Sequence, residues 1–441
     1  MRIVIVGAGA VGSYLAERLA TEGQDVVVVE SNPARAEELQ ASVDCMVVTA
    51  NGASSQALED AGLSGADLLI AVTSSDAVNI LACQAAARIG VRTRVARVED
   101  PTLREDLELH GVSVVIDPVE ALTRELLLLA RRGGVSEVVE FADGQIGLYG
   151  GYVQPGAPLD GSSLAELRTR VKGWDWIVAA LVRDDKTIIA RGDSALQSGD
   201  HVLVVTSQGA EEALTLMGVE EHRAKKVFVL GATRLATMTA EALVQAGVHT
   251  VLVDSEAERF GDLAAKYDRL VVVKGDPTDP EVLASEGIAN ADVVFGLSGW
   301  DEVNILGCMV AKALGVHTVV SRFHNLAYVG LLAGHGIDAG VSTRLAAANE
   351  ILRLVRRGTI HSVITFQDTD AEAIELQVGP SSDAVGKMLS DVGLPKAAII
   401  GGIVRGKRAF IPHGDTVVEA GDRLIAVALP KAIPAVERLF G

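Results

Sequence analysis

The chain starts with an unbroken aliphatic run, Arg2–Val6, that leads straight into a glycine-rich turn at Gly7–Gly12. The run has no in–out alternation, so it predicts a strand covered on both faces, as in a helix-flanked parallel sheet. After the turn the period changes. Leu15 and Leu19 recur at helical spacing within Ser13–Glu22, and Gly23 stops the helix. Further strands are predicted at Asp25–Val29, Met46–Val48, Leu68–Val72, Arg94–Val98 and Val114–Ile116. Helices are predicted between them at Pro33–Ala41, Ala53–Gly62, Ala77–Ile89 and Pro101–Leu109. Alternation of this kind predicts a doubly wound parallel sheet.

A strongly apolar helix, Glu120–Arg132, closes this segment, and the pattern then shortens. Val138–Phe141, Leu148–Val153, Trp176–Val182, Thr187–Ala190 and His201–Val205 read as brief strands between turn residues, with a helix at Ser163–Arg170. That predicts a small α+β domain. Ser207–Ala224, a short helix with a polar tail, is the linker candidate. The order then repeats. Gly7 aligns with Gly231, Asp76 and Asn79 with Asp301 and Asn304, and Gly199-Asp200 with Gly421-Asp422, at offsets of 222 to 225 residues. The chain is a tandem duplication. The expected class is α/β: two tandem Rossmann-like doubly wound parallel sheets, each followed by a small α+β domain. The expected domains are residues 1–132, 135–218, 225–357 and 359–441.

Composition narrows the partners. Apolar residues make up 49% but aromatics only 4%, so the cores are aliphatic and little is available for stacking nucleic-acid bases. A formal charge of −19 also argues against a nucleic-acid partner, which needs clustered Lys and Arg. One nucleotide in a local site is compatible with an acidic protein. Cys45, Cys83 and Cys308 form no CxxC pair and read as small core residues, which fits a reducing cytoplasm. No apolar run reaches the roughly 18 residues of a membrane span. The amino-terminal segment reads as a strand rather than a signal peptide. A membrane connection is therefore expected to run through a partner.

Gly7-x-Gly9-x-x-Gly12 follows a buried strand and opens a helix, and Glu30 ends the next strand. Together these form a dinucleotide-binding pattern. Gly7 permits the tight turn, Gly9 lets a pyrophosphate approach the backbone, and Gly12 lets helix and strand pack closely. Ala8, Ala10 and Val11 complete the loop, whose helix N-terminus offers N–H groups and partial positive charge to phosphates. Glu30 can accept bonds from ribose hydroxyls and would repel a 2′-phosphate. It favours NAD over NADP but does not separate NAD from adenine nucleotides. Thr73 and Ser74 close the fourth strand on the ligand edge, where they contact a ligand or lead into a helix cap with Asp76 as the capping residue. Arg97, at the end of the fifth strand, is placed to pair with a phosphate or to sit in a surface ion pair.

The second copy departs from this. Asp254 keeps the acidic position, but Thr233 replaces Gly9 and Ala236 replaces Gly12. A β-branched side chain there crowds a pyrophosphate, so the second site is expected to bind weakly or not at all. No Tyr is followed four residues later by Lys, there is no His-Glu-x-x-His, and no cysteine has a nucleophile context. The chain is therefore not expected to be an enzyme and has no catalytic or metal residue to nominate. A soluble NAD-dependent oxidoreductase is the alternative.

The domain order, the stretch 7–19 with Glu30, Thr73–Asn79, Arg97 and the two Gly-Asp pairs resemble the TrkA family of potassium-uptake regulators, built from tandem RCK domains. The resemblance implies a cytoplasmic subunit docked on the inner face of the membrane through a Trk-type potassium transporter or channel. It implies NAD(H) and ATP/ADP as ligands at Gly7–Val11, Glu30, Thr73, Ser74 and Arg97. It also implies a ring assembled as a homo-oligomer, with a tetramer expected because each chain supplies two domains. The apolar helices Glu120–Arg132 and Ala346–Arg357 suit subunit packing or an ordinary core equally.

Overall fold

Two parallel and two antiparallel sheets result from the repeated pattern. The computed structural model describes all residues except 132–134, 143, 171–174, 185, 208–209, 220–222, 257–260, 326–327, 329–335, 356–359 and 367–368. The first sheet contains β1 (Arg2–Val6), β2 (Asp25–Glu30), β3 (Met46–Thr49), β4 (Leu68–Ala71), β5 (Thr93–Arg97) and β6 (Val114–Ile116). Their order is β3-β2-β1-β4-β5-β6, parallel throughout. Helices α1 (Ala10–Thr21), α2 (Pro33–Ser42), α3 (Ser55–Asp60) and α4 (Asp76–Ile89) connect the strands, and α5 (Pro118–Arg131) follows them. Ile3 and Ile5 join Leu15 and Leu19 of α1 in one core, whereas Val4 and Val6 join Ala82 and Cys83 of α4 in another. Both faces of β1 are thus covered, which is why it is aliphatic at every position from Ile3 to Val6. The strand order reverses between β1 and β4, the place where open α/β sheets leave a ligand crevice.

The small sheet is built from β7 (Glu137–Phe141), β8 (Ile146–Tyr152), β9 (Trp176–Arg183), β10 (Lys186–Ile189) and β11 (His201–Thr206), with α6 (Leu164–Arg170) and α7 (Ala210–Met217). It is antiparallel in the order β10-β9-β11-β8-β7. The second parallel sheet has β12 (Lys226–Leu230), β13 (His249–Asp254), β14 (Leu270–Lys274), β15 (Val293–Gly296), β16 (Thr318–Arg322) and β17 (Ala339–Val341). Its helices are α8 (Arg234–Gln245), α9 (Gly261–Lys266), α10 (Pro280–Ser285) and α11 (Asp301–Ala313), followed by α12 (Thr343–Val355). The last sheet comprises β18 (Ile360–Thr365), β19 (Glu372–Gln377), β20 (Ala398–Arg405), β21 (Arg408–Phe410) and β22 (Arg423–Ala428), closed by α13 (Ile433–Phe440). Both orders repeat those of the first half strand for strand.

Contacts divide the chain into Met1–Ala121 with Thr343–Val355, and Leu122–Ser342 with Arg356–Gly441. In the first unit, α12 packs on α1: Ala347, Ala348, Ile351 and Leu352 share a core with Val11 and Leu15. Arg344 of α12 lies 5.7 Å from the Tyr14 ring centroid. In the second unit the two small sheets pack on each other, with Ile146, Leu148, Leu203 and Val205 meeting Ala373, Ile425 and Val427.

The repeated Gly-Asp pairs have a structural explanation. Gly199 (φ +87°) and Gly421 (φ +84°) take the left-handed conformation that suits glycine. The next residue is a buried carboxylate held by an arginine fork. Arg183 Nε donates to Asp200 Oδ1 at 2.7 Å and Arg405 Nε to Asp422 Oδ1 at 2.8 Å. The N–H groups of Gln197 and Glu419 each add a bond of 2.9 Å.

Two expectations are corrected. Pro101–Leu109 is not a helix: a 3-10 turn covers Pro101–Leu103, and Asp106 (φ +59°) takes a left-handed conformation that interrupts helical bonding. Asp76 does not cap α4. The Ser75 side chain does so by accepting from Val78 N, and Asp76 lies in the first turn. The apolar helix after β6 starts at Pro118, and the expected ends at Arg132 and Arg357 fall outside the described residues.

Removing one partner of a buried ion pair strands the other charge. Arg183→Met should therefore lower unfolding stability by about 2–3 kcal/mol, read from urea denaturation of the full chain.

Candidate functional site

The candidate site is the carboxyl edge of the first parallel sheet, where β1, β2, β4 and β5 end. Gly7 has φ +102°, and its N–H donates to Val29 O at 2.8 Å. A Cβ on Gly7 would stand 3.0 Å from Thr73 Cγ2, so the glycine lets the loop pass close to the end of β4. A Cβ on Gly12 would lie 1.9 Å from Gly7 O, a separation no side chain tolerates. Gly9 is different: a Cβ there would meet nothing within 4 Å. Gly9 occupies the cap position of α1 and supplies no side-chain bond. The first turn, Ala10–Val11–Gly12, therefore keeps donors that a helix normally gives to a capping side chain. Ser13 adds rigidity by donating its hydroxyl to Ala8 O at 2.9 Å.

Glu30 ends β2 beneath this loop and is only 6% exposed. Its Oε2 accepts the Ala8 N–H at 2.6 Å, and its Oε1 accepts the Asn32 N–H at 2.7 Å and the Ser31 hydroxyl at 3.3 Å. Burial on its own would raise the carboxyl pKa. The Asn32 and Ala8 donors, with help from Ser31 and the Arg35 charge, outweigh it and hold the group below the usual range. Glu30 is thus ionised at neutral pH and ties β2 to the glycine loop. A carboxylate oxygen accepts two bonds, so Oε2 retains acceptor capacity.

The β4 and β5 ends are joined by Asn79, a residue on α4 that the motif reading did not nominate for the site. Asn79 is fully buried. Its Oδ1 accepts from Thr73 N at 2.9 Å and Thr73 Oγ1 at 2.8 Å, and its Nδ2 donates to Thr73 O at 3.1 Å and Arg97 O at 2.9 Å. Its signal was present in the sequence as the Asp-x-x-Asn spacing of 76/79 and 301/304. Asn304 forms the same clamp, accepting from Ser298 N at 2.6 Å and donating to Arg322 O at 3.1 Å. Ser74 is exposed at the rim. Arg97 takes the ion-pair option, with its Nε 2.7 Å from Glu99 Oε1. Asp76 Oδ2 accepts from Glu99 N at 2.9 Å and Asp100 N at 2.8 Å, which fixes the segment after β5.

The second parallel sheet has the same edge with one first-turn donor taken by a capping side chain. Gly231 repeats the turn with φ +109°. Thr233, however, caps α8: its hydroxyl accepts from Ala236 N at 3.2 Å and donates to Leu297 O at 2.7 Å. Ala236 carries the Cβ that the first loop excludes at Gly12, so the two loops cannot share one geometry. Asp254 accepts from Glu256 N at 2.7 Å and belongs to this second edge, separate from the residues gathered around Glu30.

The TrkA-N domain family matches residues 3–118 and 227–343, and the TrkA-C domain family matches 152–217 and 373–441. Over 452 aligned residues the chain is 36% identical to the Trk system potassium uptake protein TrkA of Halomonas elongata, covering 100% of this chain and 98% of that protein. The GsuK channel bound to NAD shares the fold with a TM-score of 0.60 at 20% identity, over 100% of this chain and 78% of that one. GsuK bound to ADP does so with a TM-score of 0.51 at 19% identity, over 80% and 69%.

Because the Glu30 pKa is lower in the fold than in the unfolded chain, its stabilising contribution is complete above the unfolded value and disappears as pH falls through the folded one. Acid titration of thermal stability should show this. Glu30→Gln should flatten the profile below about pH 4.5, with little effect on its slope near neutrality.

Proposed function

The chain belongs to the TrkA family, and we propose that it is the nucleotide-sensing regulatory subunit of a Trk-type potassium uptake system. Its ligand in this reading is NAD(H), with ATP/ADP as the related alternative. The observation that carries the proposal is the contrast between the two helix starts. The α1 start lacks a side-chain cap and sits above an ionised Glu30, whereas the α8 start is capped by its own Thr233. A pyrophosphate approaching Gly9 would meet the α1 first-turn N–H groups and the positive end of the helix dipole. Ribose hydroxyls would donate to Glu30 Oε2. Thr73 and Ser74 would border the ligand, and Arg97 would reach a phosphate only by exchanging Glu99 for it. Asp254 keeps the acidic position of a site where the Thr233 side chain already takes the Ala236 N–H.

The nucleotide acts as a signal in this reading and is not consumed. Among the described residues no helix is long and apolar enough to cross a membrane, so the partner supplies the membrane pathway. The subunit works at the cytoplasmic face, in a ring in which each chain contributes two nucleotide-binding-type domains and a tetramer is the expected assembly. A ligand shifts the ring between shapes only by the difference in its affinity for them. Oxidised and reduced NAD, or ATP and ADP, must therefore bind those shapes unequally to gate the potassium pathway.

Calorimetry on the full chain tests the site. Glu30→Ala removes both a ribose acceptor and a loop anchor and should weaken nucleotide binding by about 10- to 100-fold. Thr233→Gly should leave the tight site unchanged, and loss of that site in this variant would count against the assignment.

A nucleotide-titrated pull-down with the Trk-type membrane subunit tests the function. Retention should change with the nucleotide added, and purified protein given NADH and a panel of carbonyl compounds should show no turnover. Sustained NADH oxidation would instead support a soluble oxidoreductase.

A further inference from the structure

The turn after β3 carries the chain's one Asn-Gly pair, Asn51-Gly52. It lies on the carboxyl edge of the first sheet, where the Ala50 N–H donates to Glu30 O at 2.9 Å. Asn51 is exposed and opens a tight turn. Its carbonyl accepts from Ser54 N at 3.0 Å, and its side-chain Oδ1 accepts from Ala53 N at 2.9 Å. The second bond folds the carboxamide back over the Asn51–Gly52 peptide and draws electron density from the amide carbon. Among the described residues no acceptor takes the Gly52 N–H. Gly52 also places no Cβ beside that nitrogen. A nucleophilic nitrogen is thus held next to a polarised carbon, one ring closure away.

The other asparagines lack this combination. Asn79 and Asn304 are buried, with both side-chain ends bonded. Asn32 caps α2 and is followed by Pro33, which has no N–H. Asn290, Asn325 and Asn349 are followed by Ala291, Leu326 and Glu350, which all carry a Cβ. The second copy builds the same turn without the chemistry. The Asp276 carbonyl accepts from Asp279 N at 3.1 Å and its Oδ1 from Thr278 N at 2.8 Å. Its side chain is already a carboxylate, and Pro277 stands at the Gly52 position.

We propose that Asn51 is a self-modifying site, at which the carboxyl edge of the first sheet loses ammonia and gains a carboxylate. Gly52 N gives up its proton and bonds to Asn51 Cγ. The Cγ–Nδ2 bond breaks, and Nδ2 leaves with a proton as ammonia. Water then opens the five-membered ring, giving a hydroxyl to one carbonyl carbon and a proton to Gly52 N. Attack at Cγ yields aspartate in the ordinary chain. Attack at the backbone carbonyl yields isoaspartate, in which the chain runs through Cβ and Cγ and is one carbon longer.

The fold treats these products differently. Aspartate reproduces Asp276, so the turn keeps its bonds. Isoaspartate has no room. Gly52 lies against Val6 at the end of β1, where even a Cβ would stand 2.1 Å from Val6 Cγ1. A longer backbone there pushes the turn off β1, directly ahead of Gly7. The proposal does not depend on which nucleotide binds, or on whether one does.

Peptide mass mapping of the full wild-type chain, aged in warm, mildly alkaline buffer, reads the reaction. The Asn51 peptide should gain about one mass unit before any other asparagine peptide does, and about two more in water labelled with heavy oxygen. Chromatography separates the two products. The isoaspartate fraction should unfold at lower urea than fresh protein, whereas Asn51→Asp should unfold with it. Asn51→Gln, which would need a six-membered ring, should keep its mass at this peptide. An unchanged Asn51 after another asparagine has converted would overturn the site, as would a product that takes no oxygen from water. An isoaspartate fraction as stable as fresh protein would overturn the clash with β1.

Discussion

A helix must do something with the donors of its first turn, and the first half of this chain depends on leaving them open. Three or four N–H groups at a helix start have no partner within the helix, and proteins normally supply a serine, threonine or aspartate to take them. At α1 that position is Gly9, with open space where a side chain would point. The surrounding residues keep the loop in place without closing it. Glu30 takes the Ala8 N–H from below, Ser13 takes the Ala8 carbonyl, and Gly12 lets α1 approach to a distance no Cβ would allow. Each of these restraints holds the backbone while leaving the donors for something else.

Duplication provides an internal control. Both parallel sheets keep the left-handed glycine after the first strand and the buried asparagine clamp, so these belong to the fold. What differs belongs to the site. Thr233 fills the cap, Ala236 adds the excluded Cβ, and Asp254 is one methylene shorter than Glu30 and bonds the chain ahead of it. The segments after β5 and β16 diverge as well. Glu99 accepts from Arg97, whereas His324 occupies the matching position and bonds both Arg322 and Asp301. The substitutions at the helix start lie at the carboxyl edge of one copy, whereas the first glycine and the asparagine clamp are common to both.

The sheets and the glycine loop were legible because each rests on local rules. A strand covered on both faces must be aliphatic throughout, and Ile3–Val6 is. A turn that meets the next strand end needs glycine, and Gly7 supplies it. The legible features stop where the cause is distant. Asn79 acts by joining two strand ends at 73 and 97, and its recurrence with Asp76 in the second copy marks the position without showing that task. Asp76 looks like a cap because aspartate often is one, yet Ser75 is nearer the helix start and Asp76 is drawn to the Glu99 and Asp100 backbone. Pro101–Leu109 has helical composition, but Asp106 turns left-handed. The cover on α1 is the most remote case, because the helix that provides it lies more than three hundred residues further along the chain.

That last arrangement bears on how a bound nucleotide would be felt elsewhere. Helix α1 offers its first turn to the proposed ligand and buries its body, Val11 and Leu15, in a core shared with Ala348, Ile351 and Leu352 of α12. Close-packed aliphatic cores resist gradual deformation, so a shift of α1 is passed on or refused as a whole. The residue after Val355 belongs to the unit that contains both small sheets, so α12 is a covalent route out of the first unit. Helix α5 is the other route, since it begins in the first unit at Pro118 and continues in the second from Leu122. The first unit is thus joined to the rest of the chain by two helices, one of which, α12, is packed on the helix that follows the glycine loop.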